Sequence, residues 1–196
     1  MRLVQPFLKL AGFRSIARAL VIALPFCLDL SHGAEPKPKV QVNPDEFKAL
    51  ILTKLPSYVT KWPEEAFGET NNKVVLGILG KERPEFIENL KGLAKFVKIE
   101  GRELDIQEYE DAARIGKCHI LFVPAASNAQ WLEFSKRQAI QGILTVGEAE
   151  NFTKTESGGT IRIVPADKRL EGNPDNAKKA GFRISAQLLK MVIIVK

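Results

Sequence analysis

Three short, nearly unbroken apolar runs constrain this chain more than any other feature: Val74–Leu79, Ile120–Val123 and Ile143–Val146. A strand with one wet face alternates apolar and polar residues, whereas a strand covered on both faces does not have to. The three runs therefore predict central strands of a sheet sandwiched between other elements. Segments with helical spacing separate them. Pro84 opens one whose apolar face is Phe86, Ile87, Leu90, Leu93 and Ala94. Ser127-Asn128-Ala129-Gln130 is a capping-box pattern opening another, to about Ala139. Strands alternating with helices predict a single α/β domain with a largely parallel central sheet flanked by helices.

The flanking sequence extends this plan. Asn43-Pro44-Asp45-Glu46 reads as a helix start, with Asn43 as cap and Pro44 in the first turn. Phe47, Leu50, Ile51 and Leu55 follow as its apolar face, and Pro56 should kink or end it. Phe96–Ile99 and Leu104–Ile106 read as strand segments about Gly101. Near the C-terminus Thr160–Val164 alternates and predicts an antiparallel edge segment, with Gly172 weakening its partner strand. Asn173-Pro174 begins a short helix ended by Gly181, and Ser185 caps a last helix through Leu188, Leu189 and Val192.

Residues 1–33 read as a signal peptide. Arg14 and Arg18 precede the apolar run Ala19–Leu28, and Ser31-His32-Gly33 offers small residues before Ala34. An uncleaved anchor is the alternative, although the run is short of the roughly 20 residues that span a bilayer. Residues 34–44, with three prolines, form a linker, and 45–196 the folded domain. The charge follows this division. The formal net charge is +6, and the first 33 residues, with Arg2, Lys9, Arg14 and Arg18 against Asp29, hold half of it. The remaining excess is small and no basic block interleaves with aromatics, so no nucleic-acid partner is expected. After cleavage Cys118 is the only cysteine, which excludes an internal disulfide.

Enzymatic constellations are incomplete. Gly77 and Gly80 lack the third glycine and immediate helix of a dinucleotide loop. His119 is the only histidine after residue 33, and its neighbour Cys118 should point to the opposite face of a strand. No metal site or cofactor is expected from these residues. Glu64-Glu65 and Glu148-Ala149-Glu150 read as solvated loop carboxylates. Arg162 and Arg183 are candidate anion contacts, with structural salt bridges as the alternative.

The ordered pieces Trp62-Pro63, Ile78-Leu79-Gly80, Cys118–Phe122, Leu144–Glu148, Gly158–Ile161 and Ala180–Ser185 with Leu188-Leu189 resemble the YfiR-like periplasmic family over about Phe47 to Val195. The resemblance implies a periplasmic regulator that binds the periplasmic part of a membrane diguanylate cyclase, with an outer-membrane-associated protein as a possible counter-partner. The alternative it implies is a small-ligand sensor domain working with a signalling kinase or outer-membrane receptor. A homodimer is also compatible with it. The strand Val74–Leu79 lacks the cysteine that many relatives carry there, so their redox disulfide is not expected.

Two candidate sites follow. The aromatic segment of Tyr58, Trp62 and Phe67 is the candidate partner surface, with a core role for Trp62 as the alternative. Glu148, Arg183 and Ser185 are the candidate ligand contacts, in a crevice at the carboxyl edge of the sheet.

Overall fold

A computed structural model describes residues 43–64, 66–67, 72–137 and 140–195. The expected signal peptide and most of the linker lie outside the described residues.

Helix α1 (Pro44–Lys54) starts where Asn43 accepts a hydrogen bond from the Asp45 N–H, and Pro56 converts its end into a 3-10 turn over Leu55–Tyr58. Strand β1 (Val59–Lys61) follows, then β2 (Lys73–Leu79), α2 (Pro84–Ala94), β3 (Lys98–Ile99) and β4 (Arg102–Tyr109). Next come β5 (Ile120–Val123), α3 (Asn128–Arg137), β6 (Leu144–Gly147), β7 (Ile161–Val164) and β8 (Arg169–Gly172). The chain closes with α4 (Pro174–Lys179), β9 (Arg183–Ile184), α5 (Ala186–Met191) and β10 (Val192–Ile194).

Eight strands form one sheet in the order β10-β8-β7-β6-β5-β2-β4-β3. The pairs β4–β2, β2–β5, β5–β6, β6–β7 and β8–β10 are parallel, while β7–β8 and β3–β4 are antiparallel. A separate small antiparallel sheet joins β1 to β9. Alternation within the central strands builds two cores. Val74, Leu76, Ile78, Ile120 and Phe122 pack beneath α1 and α2, with Leu188 of α5. Leu79, Leu121 and Val123 pack on the other face against Trp131 of α3 and Phe152. Coverage on both faces is the reason the runs read as unbroken apolar sequence.

Several expectations need correction. The buried face of α1 is Lys48, Ala49, Leu52 and Thr53, and Leu50 is exposed. Thr53 satisfies its hydroxyl on the Ala49 carbonyl, and Lys48 by ion pairs, so the helix buries polar residues that an apolar periodicity skips. A 3-10 turn over Ala125–Ser127 runs into α3, so helical backbone begins before the Ser127 cap position. The antiparallel hairpin near the C-terminus is present, but β7 is an interior strand. Gly172 does not shorten the hairpin: β8 pairs with β7 through four residues. A Cβ at Gly172 would stand 3.1 Å from Val192 Cγ2, so the missing side chain lets β10 approach on the other side. The last helix stops at Met191, and Val192–Ile194 extend the sheet.

Candidate functional site

The strand order reverses between β2 and β5. From β2 the chain goes to β4 on one side, then returns to place β5, β6 and β7 on the other. Loops leaving the carboxyl ends of such a pair diverge to opposite faces, and the gap between them is the usual ligand position of an open α/β sheet. Here a crevice of about 570 Å³ lies at that point, lined by Lys48, Lys81–Pro84, Pro124–Ala126 and Glu148.

Lys48 organises one wall. Its side chain is almost fully buried, and its Nζ lies 3.1 Å from Glu82, 3.4 Å from Glu148 and 3.8 Å from Asp45. It also sits 4.2 Å above the Phe86 ring. Three carboxylates and an aromatic face compensate a cation that isolated burial would make costly. Glu148 in turn accepts a hydrogen bond from the Ala125 N–H at 3.3 Å, and Arg83 pairs with Asp45. One ion network thus ties α1, the loop after β2, the loop after β5 and the end of β6. Gly80, at the root of this crevice, has φ +86° and gives its N–H to the Tyr109 carbonyl at 2.8 Å. That donor is spent on the continuation of the β2–β4 ladder and is not free for a phosphate.

The three predicted ligand contacts do not converge. Glu148 is in the crevice. Arg183 pairs with Lys61 across the small sheet, and Lys61 lines a cleft of about 670 Å³ with Gly116–His119 and Gln141–Ile143, which precede β5 and β6. Arg183 therefore belongs to the amino-end side of the sheet, away from Glu148. Ser185 uses its hydroxyl as the α5 cap, accepting from the Leu188 N–H at 3.2 Å. Arg162, the other candidate anion contact, is held by both carboxylate oxygens of Glu171 at 3.0 and 2.9 Å.

At the amino end the aromatic segment folds inward. Trp62 is 6 % exposed, 5.1 Å from the Phe67 ring and 5.3 Å edge-on to Phe182. Among the described residues its Nε1–H has no partner. Phe67 stacks on His119 at 5.3 Å and carries the Arg102 guanidinium on its ring at 4.3 Å. Tyr58 and Phe67 remain half-buried. Trp62 is thus placed as a core anchor, the alternative that the sequence left open.

Cys118 and His119 diverge as neighbouring strand residues must. Cys118 packs in the second core, where burial pushes its thiol up to about 12. His119 Nδ1 accepts from the Val75 N–H at 2.9 Å. Burial lowers the pKa of the imidazole, and the nearby Ala66 backbone offsets part of that shift. A thiol held protonated and a ring held neutral on opposite faces do not make a nucleophile–base pair.

Sequence reasoning missed Lys48 and Glu82. A lysine on a helix and a glutamate in a loop carry no local signal of convergence. The strand order that brings them together is set by pairing over long sequence separations.

A family model described as YfiR/HmsC-like matches residues 45–192, which span nearly all of the folded domain. No curated protein matches the chain.

Proposed function

The chain belongs to the YfiR/HmsC-like family, and on that premise we propose that it is an exported regulator that acts by binding a membrane signalling protein. The partner in this reading is the periplasmic region of a diguanylate cyclase, whose output the bound regulator holds down. The family match over residues 45–192 carries the proposal. Cys118 and His119, buried on opposite faces of the sheet, do not form a nucleophile–base pair. Export rests on the charged, apolar and small-residue succession of residues 1–33. Among the described residues no helix is long and apolar enough to cross a membrane.

In this reading Tyr58 and Phe67 are the half-buried members of the partner surface, and Trp62 packs against Phe67 from the core side. A second reading, a small-ligand sensor working with a kinase or an outer-membrane receptor, is favoured by one observation. The crevice at the strand-order reversal has an organised polar wall, of which Glu148 is part.

Deleting the gene tests the first reading. Cellular cyclic-di-GMP should rise and return to its starting level when the gene is restored. An unchanged level in a deletion strain that expresses diguanylate cyclases with periplasmic regions contradicts it.

A further inference from the structure

Three cations gather at the amino ends of the sheet without neutralising partners. The cleft of about 670 Å³ there is lined by Lys61, Lys117 and Lys179, and Glu64 is its only carboxylate among the described residues. Lys48, Lys73 and Lys91 pair with carboxylates elsewhere, but among the described residues these three form no ion pair. Three lysines against one glutamate leave an excess of two positive charges, and concave walls of low dielectric focus such a field. The field reaches inward. Besides burial, the charges of Lys117 and Arg102 hold down the pKa of the His119 imidazole, and His119 lines the same cleft. His119 also brings a donor. Its Nδ1 takes the Val75 N–H, so the neutral ring carries its proton on Nε2. That N–H is buried and has no hydrogen-bond partner among the described residues; the Ala66 backbone lies near the ring but outside bonding geometry. Buried donors are nearly always satisfied, because leaving one open is costly.

We propose that this cleft binds a small organic anion with at least two negative charges, a phosphate ester or a polycarboxylate, held by Lys61, Lys117 and Lys179. An acceptor-rich anion answers both features at once, the uncompensated cations and the unspent donor of His119. The cleft has the size of small-molecule sites, and ammonium groups bind phosphate or carboxylate by charge-assisted hydrogen bonds. This site is separate from the crevice at the carboxyl ends and does not depend on the identity of the protein partner. Its wall includes Pro63 and Ala66, which lie between Trp62 and Phe67 in the chain. A bound anion therefore sits against the aromatic segment.

His119 is the only histidine after residue 33, so its imidazole gives the mature chain one set of ring resonances. The mature protein is titrated with pyrophosphate, citrate and acetate at constant ionic strength, and the ring is followed by NMR. Pyrophosphate, citrate or both should shift it saturably, and acetate should not. Which of the two polyanions binds more tightly separates a phosphate ligand from a polycarboxylate. Lys117→Gln combined with Lys179→Gln should weaken that binding about tenfold. Both lysines are exposed, so the urea midpoint should stay near that of the parent. Lys95→Gln combined with Lys98→Gln, by the β3 edge of the sheet, should bind as the parent does. The absence of a saturable shift with either polyanion, or an equal shift with acetate, overturns the proposal. So does the parent's affinity in the first double variant, or an equal loss in both.

Discussion

At Trp62, burial decides between two roles that the sequence left equal. The indole is enclosed by Phe67 and Phe182, and its N–H has no partner among the described residues. Trp62→Ala should therefore cost about 3–5 kcal/mol in urea unfolding. Trp62→Phe should cost much less, because no hydrogen bond is lost with the indole. Equal costs for the two changes, or a negligible cost for alanine, would contradict the core assignment. Cys118 gives a second check. With its thiol pushed up to about 12, almost no thiolate exists at neutral pH. Iodoacetamide should then label the native protein only as fast as it opens, with the rate climbing in step with urea unfolding. Rapid labelling without denaturant would show the thiol to be accessible. The burial of Cys118 and His119 was legible from the apolar run they begin. The fate of Trp62 was not, since an aromatic beside a proline suits either an interface or a core.

Among the elements, α1 depends on a single cation. Lys48 joins Glu82 and Glu148, with side chains 10 % and 15 % exposed, from two different loops. Lys48→Met keeps the aliphatic volume over Phe86 but leaves those carboxylates without their counter-ion. Loss of one partner from a buried ion network costs about 3 kcal/mol or more, and a drop of that order is expected in urea. Adding Glu82→Gln and Glu148→Gln to Lys48→Met should recover much of it. A single mutant as stable as the parent would remove the network from the account of how α1 is held. The same residues explain what the reading of this helix left out. Phe47, Ile51 and Leu55 pack on the core as their spacing suggested, but Leu50 is exposed, and the structure also buries Lys48 and Thr53 and satisfies them individually. The central strands were read correctly because burial on both faces leaves a local mark. β10 was merged into the preceding helix because Leu188, Leu189 and Val192 also fit helical spacing.

At the scale of the molecule, one largely parallel sheet separates distinct surface regions. Its carboxyl ends hold the ion-lined crevice, its amino ends hold the aromatic segment and a cleft with Lys61, Lys117 and Lys179, and β10 has no described strand on its outer side. The fold class was legible in the sequence because strand and helix alternate. Of the three predicted ligand contacts, Glu148 alone lines the crevice at the carboxyl ends. Arg183 and Ser185 belong to the β9–α5 corner, whose position depends on pairing with β1 across more than half of the domain. Partner binding is the central claim, and reconstitution tests it most directly. Membranes carrying a candidate diguanylate cyclase with a periplasmic region, taken from the same cells, are incubated with increasing amounts of the purified mature protein on the periplasmic side, and cyclic-di-GMP synthesis is measured. A saturable fall in synthesis, with the protein retained on those membranes and not on membranes lacking the cyclase, is the expected result. Synthesis that stays constant at every concentration, with no retention, would contradict the account.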